Sequence, residues 1–101
     1  ITVGSGNDTV TLTGGTNNVT TSAGNDTVNL STGSDTVTTG SGDDNVVAAA
    51  GINNISTGAN SDQVTLTGGT NTVNTGADDD VVNASGGDNG ITTEDGNDQV
   101  E

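Results

Sequence analysis

The sequence predicts an all-β fold, a parallel β-solenoid with 18-residue coils, and three observations support that prediction. Aliphatic residues recur every nine positions, Gly-rich turns separate short segments rich in Val and Thr, and alternate nonapeptides differ in a regular way. Helices are not expected, because Thr, Asn, Gly, Asp and Val dominate the chain and are poor helix formers. A length of 101 residues suits one domain. We expect residues 1–101 to be a single repeat domain within a longer chain or fibre.

The nine-residue period runs through the whole chain without a slip. The aliphatic positions are Ile1, Val10, Val19, Val28, Val37, Val46, Ile55, Val64, Val73, Val82, Ile91 and Val100. From Val10 onward, Asp or Asn stands two residues before each of them, and Gly stands four residues before, except at Asn60 and Asp78. Self-similarity of this kind is the signature of a repeat architecture.

Two kinds of nonapeptide alternate, so the structural unit is 18 residues long. The first kind always has Asp before its Val, and an aliphatic residue two places after it: Leu12, Leu30, Ala48, Leu66 and Ala84. The second kind mostly has an amide before its Val or Ile: Asn17, Asp35, Asn53, Asn71 and Asn89. Each coil therefore has two unequal halves.

In order along a coil, we expect a strand, a Gly-rich turn, a second strand and a second turn. Coils stack about 4.8 Å apart, so equivalent residues form columns. The Val10 column and the Ile1 column line opposite inner walls. Leu12, Leu30 and Leu66 add a further inner column, because side chains two residues apart in a strand share a face. About 5.6 coils would give a stack on the order of 27 Å long.

The composition is that of a polyanion with no internal counter-charge. The net charge is -14, with 14 Asp and Glu and no Lys, Arg or His; Cys and aromatic residues are also absent. Nucleic acid is excluded as a partner because phosphate binding needs Lys or Arg. Membrane insertion is excluded because no apolar run approaches roughly 18 residues. Without His or Cys there is no activated Ser or Cys nucleophile, so we do not expect an enzyme.

The aspartates of the first kind of nonapeptide point to a metal site. They are Asp8, Asp26, Asp44, Asp62, Asp80 and Asp98. Stacking puts them in one row, where neighbouring carboxylates repel by roughly 1 kcal/mol in water and by several times more at an effective dielectric near 20. A divalent cation between coils reverses the sign. Calcium fits best, because zinc prefers N and S ligands and magnesium demands a stricter octahedron. We predict about five calcium ions in one row, one in each gap between these aspartates.

The opposite edge has a different chemistry. Stacked amides can donate and accept hydrogen bonds along the column, which predicts a neutral amide ladder. Asp35 interrupts it, and we expect that carboxylate to accept bonds from Asn17 and Asn53. This edge is expected to need no ion, although a weak site near Asp35 stays open. The remaining acids are expected to face solvent: Asp43, Asp78, Asp79, Asp88, Glu94, Asp95 and Glu101.

The sequence resembles the RTX nonapeptide repeats, GGxGxDxUx, in which U is a large aliphatic residue. The segment TGSGDDNVV, Thr39 to Val47, matches all but the first glycine, and TSAGNDTVN, Thr21 to Asn29, is close. The resemblance implies a parallel β-roll that folds on binding calcium outside the cell, usually in bacterial proteins exported by type I secretion. The chain departs from the motif where Asn60 and Asp78 replace glycine, and we expect distorted turns there.

Two functions are consistent with these features. We favour an extracellular or cell-surface structural or adhesive module of a secreted bacterial protein, as in a fibre, adhesin stalk, surface layer or biofilm matrix. Self-association end to end or side by side is expected, because strands at the ends of the stack leave unpaired backbone groups. The alternative is the secretion and folding cassette of a secreted toxin or hydrolase. Ice binding is disfavoured, because the outward array that begins at Thr9, Thr11 and Thr13 becomes irregular in later coils.

Overall fold

The computed structural model describes all 101 residues, and it contains β-strands and turns but no helix. Each strand pairs in parallel with the strand 18 residues away in the sequence, for example Val10 with Val28 and Asn17 with Asp35. The chain therefore winds through about five turns of a solenoid. The predicted all-β parallel solenoid with 18-residue coils is confirmed.

Two parallel sheets form the walls of the solenoid. The short-strand sheet contains, in spatial order, β1 (Thr9–Leu12), β3 (Thr27–Leu30), β5 (Asn45–Ala48), β7 (Gln63–Leu66), β9 (Val81–Ala84) and β11 (Gln99–Val100). The long-strand sheet contains β2 (Thr16–Ala23), β4 (Ser34–Ser41), β6 (Ile52–Ala59), β8 (Thr70–Ala77) and β10 (Asp88–Thr92). The whole measures 30 × 30 × 14 Å. The molecule is thus a flat slab whose two sheets face each other across a thin core.

The core consists of columns of small aliphatic side chains. In β1, Val10 and Leu12 point inward while Thr9 and Thr11 point outward, as expected for a strand in which alternate residues share a face. Thirteen aliphatic residues are buried and form one cluster. The columns fray at their ends, where no further coil covers them. Ile1 is 58% exposed and Val100 is 52% exposed, so their assignment to the inner columns is wrong.

The turn that leads from each long strand to the next short strand depends on left-handed backbone. The residues there with positive φ include Gly24 and Gly42, and at the equivalent places Asn60 (φ 80°) and Asp78 (φ 82°). Asn is one of the few side chains that tolerates this region. The strands that precede Asn60 and Asp78 stay in register, with Ala59 opposite Ala77. Non-glycine residues are therefore accommodated at these two turns while the coils remain aligned.

Glycine is required at these turns for a second reason, which is the close approach of the coils. A Cβ built on Gly42 would lie 2.2 Å from the carbonyl oxygen of Gly24 in the preceding coil. The backbone of Gly42 also has φ of +123°, a conformation that side chains rarely adopt. By contrast, a Cβ on Gly4 would meet no atom within 4 Å.

We expect Gly42→Ala to destabilise the fold by about 1–3 kcal/mol or more, because it combines backbone strain with a steric clash. The matched control is Gly4→Ala, which should change the free energy of unfolding little. Urea unfolding followed by circular dichroism, in one buffer that folds the wild type, measures both. Equal effects of the two substitutions would contradict this account of the turn.

Candidate metal-binding edge

Six aspartates occupy one position in successive coils and lie in a row along one edge of the slab. The tight turn Gly24–Asn25–Asp26 follows β2 and places Asp26 directly before β3. Because the coils share one register, the same turn recurs every 18 residues. The structure therefore brings together all the residues predicted from the sequence: Asp8, Asp26, Asp44, Asp62, Asp80 and Asp98. The four inner members are only 1–2% exposed.

From Asp26 onward, each carboxylate in this row joins two coils through one of its oxygens. Oδ1 of Asp44 accepts a hydrogen bond of 2.8 Å from the backbone N–H of Asp26, and Oδ1 of Asp62 accepts one of 2.8 Å from Asp44. The same bond recurs between Asp8 and Asp26 and, at 3.0 Å, between Asp80 and Asp98. The aspartates are thus folded into the stack, where the sequence had only placed them on its edge.

The second oxygen of each inner carboxylate has no hydrogen-bond partner although it is buried. These atoms are Oδ2 of Asp26, Asp44, Asp62 and Asp80. Leaving a buried carboxylate oxygen unsatisfied is costly, and the cost grows when the group is charged. The row of Oδ2 atoms matches the donor chemistry of a hard cation such as calcium, which takes oxygen ligands. The residues present therefore fit the metal that the sequence predicts.

Electrostatics in the row confirm that the carboxylates are uncomfortable as bare anions. Loss of hydration on burial raises the pKa of Asp62 to about 6, and the charges of Asp44 and Asp80 act in the same direction. The Thr57 hydroxyl and the backbone N–H of Asp44 oppose the shift. Burial also raises the pKa of Asp44. A positive charge near these groups would relieve the same strain that the raised pKa values report.

No three carboxylates of the chain converge on one point. A metal ion between two coils would therefore complete its shell with backbone carbonyls, hydroxyls or water, as hard cations commonly do. This places the burden of geometry on the turn backbone, which the coil register holds fixed.

A column of buried threonines lies beside the aspartates and was not singled out in the sequence analysis. Its members Thr21, Thr39, Thr57 and Thr75 are fully buried. The hydroxyl of Thr39 donates to the carbonyl of Thr57 at 3.0 Å, and Thr57 donates in the same way to Thr75. The recurrence of Thr five residues before each aspartate, from Asp26 onward, is the signal that would have found it.

A second row of side chains braces the outside of the same turn. Oδ1 of Asn25 accepts a bond of 3.1 Å from the backbone N–H of Asp43, and Oδ1 of Asp43 accepts one of 3.2 Å from Ser61. Asp79 accepts a similar bond of 2.9 Å from Asn97. These acidic residues are not buried, in keeping with the prediction that they face solvent, and they also hold adjacent turns together.

The opposite edge carries the predicted amide ladder. Nδ2 of Asn53 donates to Oδ1 of Asn71 at 2.8 Å, and Asn71 donates likewise to Asn89. Asp35 accepts a bond of 2.8 Å from Nδ2 of Asn17. The expectation that Asp35 also accepts from Asn53 is wrong, because Asn53 donates onward to Asn71 and to the carbonyl of Ala50. The ladder runs in one direction only.

Comparison with known proteins gives one match. The family profile of the RTX calcium-binding nonapeptide repeat, which holds four copies of the repeat, matches residues 2–37, 38–73 and 65–100. No curated protein and no solved structure matches the chain. The structure contains no helix long and apolar enough to cross a membrane.

We expect the metal-free protein to become more stable as the pH falls from about 7 toward 4. The pKa of Asp62 rises from its ordinary value of 3.8 to about 6 in the fold, and that of Asp44 also rises. The folded state therefore binds protons more tightly than the unfolded state. The resulting stability is fully present below the unfolded pKa and is lost as the pH rises through the folded pKa. Circular dichroism of chelator-treated protein across this range measures the effect.

The control for this experiment removes one titrating group. Asp62→Asn should reduce the gain in strand signal on acidification, whereas Asp88→Asn, which alters an exposed carboxylate, should leave it unchanged. A strand signal that grows as the pH rises from 4 to 7 would show that burial of these carboxylates does not govern the metal-free state.

Proposed function

Because the chain belongs to the RTX calcium-binding nonapeptide repeat family, we propose that it is an extracellular structural or adhesive module whose coils are clamped together by calcium. The family is one of calcium-binding repeat modules rather than of catalysts, and its repeats are typical of secreted bacterial proteins. The proposal extends this to a load-bearing role at the cell surface, as in a fibre, adhesin stalk, surface layer or biofilm matrix.

The observation that carries the proposal is the row of buried carboxylate oxygens without partners. We assign Asp8, Asp26, Asp44, Asp62, Asp80 and Asp98 as the anionic ligands. From Asp26 onward, Oδ1 is held by the neighbouring coil. In the four inner residues, Oδ2 is left to bind metal. Six aspartates in one row leave about five gaps, and one calcium ion in each gap would be shared by two coils.

Calcium would convert the row from a source of repulsion into the clasp of the fold. Neighbouring carboxylates about 4.8 Å apart repel by about 3 kcal/mol at an effective dielectric near 20. The core offers little compensation, since it consists of small aliphatic side chains and Thr. A cation between each pair makes the interaction attractive and returns ligands to the buried Oδ2 atoms. Folding would then depend on calcium, which is scarce in the cytoplasm and abundant outside the cell.

The shape of the molecule favours a structural role over catalysis. The only depression in the surface is open, has a volume of about 430 Å³ and is lined almost entirely by polar residues. The chain has no His, Cys or Lys to act as nucleophile or base. A site for chemistry is usually concave and partly apolar, with a few convergent polar groups. We therefore propose that the module is not an enzyme.

Self-association is supported by the state of the terminal strands. Within these residues, β1 and β2 at one end of the stack, and β10 and β11 at the other, are the outermost strands of their sheets. A further coil, from the same chain or from another copy, would continue both sheets and the aspartate row in register. We propose that this continuation is the basis of a longer fibre.

Asp44→Asn should have opposite effects with and without calcium. Without metal it should stabilise the fold, because it removes a buried charge while keeping the oxygen that accepts the bond from Asp26. With metal it should weaken binding on the order of tenfold or more, because it removes the anionic ligand from two adjacent gaps. Calcium titration and urea unfolding, both followed by circular dichroism, measure the two effects.

Asn71→Ala is the matched control on the amide edge. It should lower stability in both conditions and leave calcium affinity close to that of the wild type. Calcium-independent folding of the wild type in excess chelator, or equal loss of affinity in the two variants, would refute the assignment of the aspartate row.

In millimolar calcium we expect electron microscopy to show particles much longer than the 30 Å of one chain. Sedimentation should show an association that increases with protein concentration and disappears on chelation. Sodium chloride at equal ionic strength is the control for simple screening of the charge. Monodisperse single chains in calcium would contradict the fibre proposal and favour the secretion and folding cassette, while leaving calcium-dependent folding intact.

A further inference from the structure

The amide edge contains one gap whose chemistry differs from all the others. We propose that the gap between Asp35 and Asn53 binds a single hard cation, at a site separate from the aspartate row. The site lies on the opposite edge of the slab and joins β4 to β6. It would bind one ion per chain, where the aspartate row offers a series.

The geometry of the neighbouring amide pairs defines what is missing in this gap. Asn53 donates through Nδ2 to Oδ1 of Asn71, and Asn71 donates in the same way to Asn89, each at 2.8 Å. Asp35 occupies the same ladder position, and its Oδ1 accepts from Asn17 like any other member. Its Oδ2 therefore stands where the others carry a donating NH2 group.

Two buried oxygens are consequently left facing a position with no hydrogen. Oδ2 of Asp35 and Oδ1 of Asn53 are both buried and have no hydrogen-bond partner, and each residue is 2% exposed. In other coils the same amide also donates to the carbonyl three residues earlier, as Asn53 does to Ala50 and Asn71 does to Gly68. The equivalent carbonyl in this coil belongs to Thr32. Three oxygens of different origin thus surround the place of one missing NH2.

Charge distinguishes a cation from a water molecule at this position. A water could donate to both oxygens, but it would leave the buried Asp35 carboxylate without a counter-charge. The chain has no Lys, Arg or His that could supply one. A buried charge without a partner is strongly unfavourable, whereas a small cation satisfies the charge and the empty lone pairs together.

The ligand set indicates weak binding with little preference for divalent ions. One carboxylate and neutral oxygens carry a single negative charge, and affinity for calcium falls as the ligand charge falls. Sodium and calcium have the same chemistry as hard, oxygen-seeking ions. An ion can reach the site from solvent, because Asp35 and Asn53 both line the open depression of about 430 Å³ on the long-strand sheet.

Asp35→Asn tests the proposal directly, because it supplies the missing NH2 and completes the amide ladder. In the calcium arm, metal bound per chain is measured after dialysis in saturating calcium with tetramethylammonium as the only other cation. In the sodium arm, the urea midpoint is measured as sodium replaces tetramethylammonium at constant ionic strength and saturating calcium. We expect the variant to bind one calcium fewer, or to lose a sodium-dependent rise in midpoint that the wild type shows.

Two further variants keep the test decisive. Asp88→Asn makes the same change of charge at an exposed carboxylate and should alter neither arm. Asn71→Asp moves the same break two coils along and should add one cation or one sodium response. The proposal is overturned if Asp35→Asn matches the wild type in both arms, which would indicate water in the gap, or if Asp88→Asn changes them equally. Neither result would affect the aspartate row, whose six residues remain in place in all three variants.

Discussion

The structure depends on one constraint, which is that every residue is stacked on the equivalent residue of the next coil. A parallel sheet with a strict 18-residue register leaves no choice of neighbour. Each side chain must therefore tolerate a near copy of itself about 4.8 Å away. Valine meets the constraint by packing, and threonine meets it by donating to the next carbonyl, as Thr39 does to Thr57. Asparagine meets it because an amide both donates and accepts. Aspartate alone cannot, since two carboxylates offer only acceptors and like charge.

The two edges of the slab show how much follows from that difference of one atom. On one edge, Asn53 and Asn71 satisfy each other with no outside help. On the other, Asp44 and Asp62 take N–H donors from the backbone for one oxygen and leave the second empty. The amide edge is thus complete within the chain, except at Asp35. The aspartate edge is complete only together with a cation, which makes the stability of the fold a property of its surroundings.

Much of this architecture could be predicted from periodicity alone. The nine- and 18-residue repeats determine the register, and the register determines which residues share a column, so the core and the aspartate row were both accessible from sequence. The direction of each hydrogen-bond ladder was not, because an amide column can run either way until the backbone is known. That is why the partner of Asn53 was assigned wrongly. Nor does a repeat reveal where it frays, so Ile1 and Val100 were placed inside.

The inner ladders all point the same way along the stack. The backbone N–H of Asp26 donates to Asp44, Asn53 donates to Asn71, and Thr39 donates to Thr57, so donors face the later coil in each case. The stack consequently has polarity, like a filament with a plus end and a minus end. One terminal face presents vacant acceptors and the other presents vacant donors. Any joint that continues these rows must be head to tail, and a symmetric, face-to-face pairing of two copies cannot reproduce it.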